Sequence, residues 1–121
     1  NLFYIKSKLI GYTSLKLRTY KIIKTKLFSK YLLFDSLVID QKYRGKKFSN
    51  LLMSFNNTII KQSGYFSFLI CNKEMLRFYQ NYKWTKLTDK NKSIIDYPTS
   101  TKGMVFNNKK EINQKYLFLI N

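Results

Sequence analysis

The sequence predicts one α/β domain over residues 1–121, with a mixed and mostly antiparallel sheet that contains one parallel βαβ crossover. Two apolar segments, 31–39 and 65–70, have the length and composition of buried strands. Between them, residues 46–62 carry apolar side chains at three- and four-residue steps, which is typical of an amphipathic helix. A strand–helix–strand unit of this kind has parallel strands and a right-handed connection.

The segments on either side of the crossover predict antiparallel strands. Residues 2–5 form a short apolar segment, and residues 9–17 alternate between two faces, which indicates a hairpin. The basic stretch 21–30 fits either a continuation of a strand or a loop. After the crossover, the polar stretch 89–101 predicts a loop. The remaining short strands are predicted at 84–87, 103–106 and 116–120.

Two helices follow from apolar periodicity and from capping residues. The apolar face predicted for the first helix consists of Phe48, Leu51, Leu52, Phe55 and Ile59. Gly64 is placed to end this helix, Asn72 can cap the second helix, and Glu74 lies in the first turn of that second helix. The apolar face predicted for the second helix consists of Met75, Phe78, Tyr79 and Tyr82.

The composition excludes several kinds of site. The chain has no histidine and only one cysteine, Cys71, so it can form neither a Cys/His zinc site nor an internal disulfide bond. We therefore predict no metal site. The sequence has no apolar run of about 18 residues, so we expect no membrane span, no membrane partner and a cytoplasmic protein.

The formal charge of +17 leaves two interpretations open. A basic surface can bind nucleic acid or another polyanion. Lysine, asparagine and isoleucine, however, have A- and T-rich codons, so the base composition of the genome could supply much of the charge. Arg18, Arg44 and Arg77 are the only arginines, whereas nucleic-acid sites favour the bidentate guanidinium group.

A basic turn that contains glycine joins the predicted strand 31–39 to the predicted helix 46–62. The strand ends in Leu37-Val38-Ile39, and the turn and helix start read Arg44-Gly45-Lys46-Lys47-Phe48-Ser49. A strand that leads into a helix N-terminus presents backbone N–H groups and a partial positive charge, and both bind phosphate. The turn therefore predicts a ligand that carries phosphate.

A second pattern follows the next predicted strand, with Asn72, then Phe78-Tyr79, then Lys83-Trp84. In this order and spacing, the two patterns resemble the signature of the GCN5-related N-acetyltransferase (GNAT) superfamily. The resemblance runs from Asp35 to Trp84. It implies the acyl-CoA N-acyltransferase fold and acetyl-CoA as the cofactor.

The chain departs from the superfamily at several places. Lys47 stands where the superfamily usually has glycine, Ser49 where it has glycine or alanine, and Lys83 where it has glycine. Aminoglycoside 2′-N-acetyltransferases are similar to this chain at Lys47 and Trp84. The superfamily also begins with a strand and two helices that have no counterpart before the predicted hairpin. This leaves open whether a preceding segment is missing or the acceptor site is built differently.

The resemblance assigns the cofactor to specific residues. The diphosphate is expected at the backbone of Arg44, Gly45, Lys46, Lys47, Phe48 and Ser49. The pantetheine arm is expected along Leu37, Val38 and Ile39, with a main-chain N–H near Val38 or Ile39 polarising the thioester carbonyl. Asn72 is expected to hydrogen-bond the cofactor arm.

The resemblance also makes Tyr79 the predicted general acid for the leaving thiolate, although helical spacing alone would make it a core aromatic. Asp35, on the cofactor strand and on the same face as Leu37 and Ile39, is the best candidate for the base that takes the amine proton. Its alternatives are an ordinary polar strand residue or an ion pair with a lysine. The other bases left open are Asp96, Glu111, a water molecule and the terminal carboxylate.

Three functional interpretations follow. The leading one is an N-acetyltransferase that acetylates a primary amine of a small molecule, such as an amino sugar or an aminoglycoside-like compound. A second keeps the enzyme and makes tRNA or a protein the acceptor, so that the lysines would attract a polyanion. A third is a non-catalytic GNAT-like scaffold in a nucleoprotein assembly. Whether the chain forms a homodimer is left open.

Overall fold

The computed structural model describes residues 1–5, 7–45, 48–88, 92–94 and 102–120. Its strands are β1 (Leu2–Ile5), β2 (Lys8–Ile22), β3 (Leu27–Ile39), β4 (Ser67–Cys71), β5 (Thr85–Lys86), β6 (Lys92–Ile94), β7 (Lys102–Phe106) and β8 (Tyr116–Phe118). Its α-helices are α1 (Phe48–Ser63) and α2 (Leu76–Gln80), and 3₁₀ turns lie at Gln41–Tyr43 and Lys73–Met75. In this part of the chain, no helix combines the length and the hydropathy that crossing a membrane requires.

The strands form one sheet in the order β5–β7–β4–β3–β2–β8–β6, and β1 also pairs with β2. Most neighbours are antiparallel, whereas β3 and β4, which α1 connects, are parallel. The predicted mixed sheet with a parallel βαβ crossover is therefore confirmed. A second parallel pair, β6 with β8, was not predicted, because β6 lies in the stretch 89–101 that was assigned to a loop. The rest of that stretch, 89–91 and 95–101, lies outside the described residues.

The predicted hairpin of residues 2–5 and 9–17 is present as the antiparallel pair of β1 and β2. β2 extends beyond the predicted strand and forms a second antiparallel hairpin, with β3, that was not predicted. The register of this second hairpin runs from Gly11 opposite Ile39 to Ile22 opposite Leu27. The basic stretch 21–30, for which the sequence left strand and loop open, thus contributes to both strands and to the turn between them. Period-two patterning did not reveal this, because lysines and apolar residues do not alternate in 21–30 and residues 23–30 are all exposed.

A β-bulge interrupts the hairpin at Asp35. Ser14 pairs with Ser36 and Leu15 with Phe34, so Asp35 is the extra residue on β3. The bulge shifts the alternation of side chains, and as a result Phe34 and Leu37 pack into the same core cluster.

The prediction that Asp35 shares a face with Leu37 and Ile39 is therefore wrong. Asp35 pairs with Lys16, which lies opposite Leu33 in register, and Leu33 packs on the other face of the sheet from Leu37. A bulge adds one residue to one strand, and no periodicity in the sequence marks where it occurs.

Helix α1 packs on the sheet through a face rotated from the predicted one. Its buried residues are Leu52, Met53, Asn56 and Ile60. Of the predicted face, Leu51 and Phe55 are 55% and 46% exposed, and Phe55 meets the ring of Phe3 in β1 edge-on at 5.4 Å. The buried polar Asn56 lies in the middle of the true stripe, so a count of apolar residues missed it. Gly64, with φ of +78°, follows the helix end as predicted.

The C-terminal segment contributes Ile112 and Phe118 to the core cluster on the opposite face of the sheet. Phe118 is fully buried and stacks on Phe68 with ring centroids 3.9 Å apart. The Tyr31 hydroxyl donates to the Leu119 carbonyl (2.8 Å), and Arg18 Nε donates to the Ile120 carbonyl (3.0 Å). These contacts fix the segment against β2 and β3.

Candidate functional site

β3 and β4 are paired over only a short distance. Their registered pairs are Leu32 with Ser67 and Leu33 with Phe68, whereas β3 continues to Ile39. The two strands therefore part at their C-terminal ends. In open α/β sheets, this is where ligands bind.

The hydrogen bonds of β2 determine which backbone groups of β3 face the opening. The Asp40 N–H donates to the Ile10 carbonyl (2.6 Å). Hydrogen-bonded and non-hydrogen-bonded pairs alternate along an antiparallel ladder, so Val38 and its partner Tyr12 form the next hydrogen-bonded pair. The backbone N–H of Val38 is thus turned toward β2 and away from the opening.

Leu37 and Ile39 present their backbone groups on the other edge of β3. Thr13, which lies opposite Leu37, donates its N–H to the Asn1 carbonyl (3.0 Å) on the far edge of β2. Leu37 and Ile39 consequently direct their N–H groups toward the space between β3 and β4. The Ile39 carbonyl accepts a hydrogen bond from Arg44 Nε (3.2 Å).

An outer cavity of about 290 Å³ lies where the end of β3, the start of α1 and α2 meet. It is lined by Leu37, Val38, Ile39, Arg44, Ser49 and Phe78. The fold thus brings five of the strand and turn residues that the sequence assigned to a cofactor to one cavity, whereas Gly45 and Phe48 are not among its lining residues. Lys46 and Lys47, which were assigned with them, lie outside the described residues.

The turn before α1 contains a glycine in the left-handed conformation. Gly45 has φ of +77°, a left-handed conformation that favours glycine, and a Cβ there would meet nothing within 4 Å. Glycine is therefore favoured at position 45 by the backbone conformation and not by a lack of space for a side chain. Phe48, at the first described position of α1, packs edge-on against Tyr43 (5.2 Å). The first turn of α1 has no acidic residue, so no carboxylate offsets the positive end of the helix dipole.

An inner cavity of about 470 Å³ lies between the diverging strands. Its lining is Leu33, Phe34, Asp35, Ile70, Cys71, Asn72, Met75, Tyr79 and Ile120. Tyr79 and Asp35, the two predicted catalytic residues, thus contribute to one cavity from α2 and from β3. Adjacent residues of α2, Phe78 and Tyr79, line the outer and the inner cavity respectively.

Tyr79 is half-buried among aromatic side chains. Its ring lies 6.1 Å from that of Phe34 and 6.3 Å from that of Trp84. Burial, and to a smaller extent the neighbouring Cys71 thiol, raises the pKa of the Tyr79 hydroxyl above its ordinary value. The phenol is therefore protonated at neutral pH and can donate a proton into the cavity.

Asp35 forms an ion pair with Lys16, with its Oδ2 2.8 Å from Nζ. The alternative that the sequence left open for Asp35, an ion pair with a lysine, is thus present in the structure. The pair is partly exposed, so that a cationic ligand could compete with Lys16 for the carboxylate. Of the alternative bases, Glu111 is exposed and does not line either cavity, and Asp96 lies outside the described residues.

Asn72 differs from its predicted capping role. Its backbone is extended and precedes the 3₁₀ turn, but its side chain makes no capping hydrogen bond. The prediction that the Asn72 side chain caps the helix is therefore wrong. The residue lines the inner cavity, which is compatible with its other predicted role beside a cofactor arm.

Sequence reasoning missed Ile120 as a lining residue. Ile120 reaches the cavity because β8 pairs with β2, Phe118 lying opposite Tyr20. No local pattern links segments so far apart in the chain. The described residues contain no cluster of three or more Cys, Asp or Glu side chains that could hold a metal ion.

Comparisons with known proteins identify the fold. No protein-family model and no curated protein matches the sequence. Among solved structures, YhbS from Escherichia coli, a GNAT-family N-acetyltransferase in complex with CoA, matches with a TM-score of 0.64 and 14% identity over 94% of this chain and 62% of that one. PaiA N-acetyltransferase from Thermoplasma acidophilum, in complex with coenzyme A, matches at 0.54 and 18% identity over 84% and 55%.

A third similar structure is the KacTA–DNA complex, with a TM-score of 0.62 and 15% identity over 82% of this chain and 58% of that one. The chain thus spans roughly three-fifths of the length of these structures. At such low identity the likeness concerns the backbone architecture, and it agrees with the sheet order and the parting of β3 and β4. The chain therefore has the fold of the GCN5-related N-acetyltransferases.

Proposed function

We propose that the chain is an acetyl-CoA-dependent N-acetyltransferase that transfers an acetyl group to a primary amine. The observation that carries this proposal is the open edge of β3. It runs from the helix start at the outer cavity to an inner cavity that holds a phenol and a carboxylate. The solved structures of YhbS and PaiA, each in complex with CoA, support the choice of cofactor.

In this proposal the cofactor lies along β3. Its diphosphate contacts the backbone between Arg44 and Ser49, where the helix dipole and Arg44 favour negative charge. Its pantetheine amides pair with Leu37 and Ile39 as an added strand would. The distance from Ile39 to Asp35 along β3 is about 13 Å at ~3.3 Å per residue, so an extended arm starting at the outer cavity leads to the inner one.

The chemical step uses three groups of this chain. The N–H of Leu37 or Ile39 polarises the thioester carbonyl. Val38, which the sequence also offered for this role, is unsuitable because its N–H is turned toward β2. The amine nitrogen attacks the carbonyl carbon, the new C–N bond forms and the C–S bond breaks. Asp35 takes one proton from the bound ammonium group before the attack, Tyr79 gives its proton to the departing thiolate, and the nitrogen loses its second proton to solvent as the amide forms. The phenolate then regains a proton from solvent.

The lining of the inner cavity favours a small amine with an apolar neighbour. Asp35 is the one carboxylate among its lining residues, and most of the others are apolar. A primary ammonium group would replace Lys16 at Asp35 while its carbon atoms meet the apolar wall. Amino sugars remain within this class, although the apolar wall gives their hydroxyl groups few partners.

A second candidate is a polyanionic acceptor such as tRNA. The formal charge of +17 favours it, as does the presence of DNA in the similar KacTA complex. Acetylation of an RNA-linked amine would decline steeply with salt, whereas acetylation of a small amine would not. An acceptor screen scored by release of free CoA thiol, repeated at two salt concentrations, separates the two candidates.

The cofactor site is tested without an acceptor by placing a negative charge at Ser49. Ser49→Glu should weaken CoA binding by roughly tenfold or more, because two like charges about 4 Å apart near a protein surface repel by on the order of 1 to 4 kcal/mol. The same substitution stabilises a helix N-terminus, so misfolding would not explain the loss. Isothermal titration with CoA measures the effect.

The matched control is Ser54→Glu, which adds the same charge at an exposed position of the same helix. We expect this variant to bind CoA as the wild type does. Equal affinities for the two variants would contradict the proposed diphosphate position. Absence of CoA binding by the wild type at millimolar concentration would contradict the proposed function and favour the non-catalytic scaffold.

A further inference from the structure

The tip of the β2–β3 hairpin is an exposed surface that is both apolar and basic. Residues 23–30 are all exposed. They include Ile23, Leu27 and Phe28, which are 41%, 62% and 62% exposed. Exposed apolar side chains of this size that cluster at one site commonly mark an interaction surface.

The basic side chains of the tip are unbalanced. Lys24, Lys26 and Lys30 belong to it, and Lys21 lies beside it in β2. No acidic residue occurs between positions 20 and 34, so the tip carries a concentrated positive charge. Lys21 lies over the ring of Phe28, with Nζ 5.7 Å from the ring centroid, so cationic and apolar groups are interleaved.

The apolar side chains are distributed around the tip and not along one side of it. Leu27 and Phe28 are consecutive in β3, and consecutive strand residues point to opposite faces. Ile23 lies in the turn itself. A flat protein partner would cover only one of these faces, whereas a fluid apolar medium would surround all three side chains.

We propose that this hairpin tip inserts into the surface of a membrane that contains anionic phospholipids. Ile23, Leu27 and Phe28 would enter the boundary between head groups and acyl chains, and the lysines would bind the phosphates and carboxylates of the head groups. The earlier expectation of no membrane partner rested on the lack of a spanning segment, which a surface-bound hairpin does not need.

Nucleic acid is the competing occupant, and the apolar side chains disfavour it. Binding to single strands uses aromatic side chains on which bases stack. Of the three exposed apolar residues, only Phe28 can stack, whereas Ile23 and Leu27 offer a base no comparable contact. An anionic bilayer uses all three together with the lysines.

The test is co-sedimentation of the full chain with vesicles. We expect binding to vesicles of phosphatidylcholine mixed with phosphatidylserine at low salt, no binding to phosphatidylcholine alone, and release in molar salt. The double substitution Leu27→Ser and Phe28→Ser should lower the affinity by roughly tenfold or more. Replacing Lys24 and Lys26 by glutamine should lower it by on the order of tenfold or more, since each lysine near an anionic surface contributes severalfold.

Matched control variants distinguish binding through the tip from non-specific binding through other exposed leucines and lysines. Leu2→Ser with Leu51→Ser alters two leucines of similar exposure away from the tip, and Lys109→Gln with Lys110→Gln removes two exposed lysines elsewhere. These variants should bind as the wild type does, and melting curves should show all variants folded. The proposal is overturned if anionic vesicles are not bound or if the tip variants bind equally well. It is also overturned if single-stranded poly(U) is bound in preference to vesicles through the same lysines.

Discussion

At the scale of single residues, Tyr79 and Asp35 face one cavity from a helix and from a strand, and their surroundings differ. Burial raises the pKa of the Tyr79 hydroxyl, so this group is protonated at neutral pH, while the partly exposed carboxylate of Asp35 is paired with Lys16. In the proposed mechanism, Tyr79 gives a proton and Asp35 accepts one. This is the division of roles that thioester aminolysis needs.

If Tyr79 is the general acid, Tyr79→Phe should lower kcat by on the order of 100-fold with little change in the KM for acetyl-CoA. The phenyl ring keeps the packing against Phe34 and Trp84, so only the proton donor is lost. Steady-state kinetics with the acceptor found by thiol release measure the effect. The control is Tyr82→Phe, which removes a hydroxyl that donates to Asn50 outside both cavities. Unchanged turnover in Tyr79→Phe would leave Tyr79 as a packing residue.

Two adjacent asparagines of α1, Asn56 and Asn57, differ in their hydrogen bonding. Substitution by leucine should therefore change the free energy of unfolding in opposite directions at the two positions. Asn56 is fully buried, and its side-chain oxygen and nitrogen have no hydrogen-bond partner in the structure. Asn57 donates to the Tyr82 carbonyl (2.9 Å) and accepts from Trp84 Nε1 (3.1 Å). Asn56→Leu removes an unsatisfied amide and should raise the free energy of unfolding by about 1 to 3 kcal/mol.

Asn57→Leu should lower the free energy of unfolding, because it leaves the Trp84 indole N–H and the Tyr82 carbonyl without these partners. Chemical denaturation of both variants measures the two changes. A loss of stability in Asn56→Leu would mean that the amide is satisfied by a buried water molecule.

At the scale of secondary-structure elements, the C-terminal strand β8 takes part in the core. It supplies Phe118, which lies against Phe68, Tyr31 and Tyr20. The segment also supplies Ile120 to the inner cavity. A displacement of this segment would therefore alter both the packing of the core and the lining of the inner cavity.

Phe118→Ala should destabilise the fold by about 3 to 5 kcal/mol, as expected for a fully buried phenylalanine. The half-buried neighbour Leu117 provides the control, and Leu117→Ala should cost clearly less. Guanidinium denaturation followed by the fluorescence of Trp84 measures both. Similar losses would indicate that the segment is held by its backbone pairing and not by the Phe118 ring.

The elements differ in how far the sequence could predict them. The crossover of β3, α1 and β4 was predictable because its signals are local: apolar strands, helical spacing and a glycine after the helix. The buried face of α1 was not, because Asn56 occupies a core position that a polar residue rarely takes. The bulge at Asp35 was equally hidden, since an inserted residue leaves the composition of β3 unchanged.

At the scale of the whole molecule, the predicted fold class was correct, while the long-range contacts were not accessible. The resemblance to the GNAT superfamily rested on the order of Arg44, Gly45, Asn72 and Tyr79 along the chain. In the fold, Arg44 lines the outer cavity, and Asn72 and Tyr79 line the inner one. That β6 and β8 extend the sheet beyond β2 depends on pairing between distant segments. Such pairing has no signature in a single sequence.

The place of Phe118 has a consequence for how this protein is made. The ring completes a core whose other members, Tyr20, Tyr31 and Phe68, leave the ribosome much earlier. During synthesis these aromatic side chains stay uncovered by the Phe118 ring until residue 118 itself has emerged. Until then the partly synthesised chain exposes apolar rings, the kind of surface through which incomplete chains aggregate and which chaperones shield.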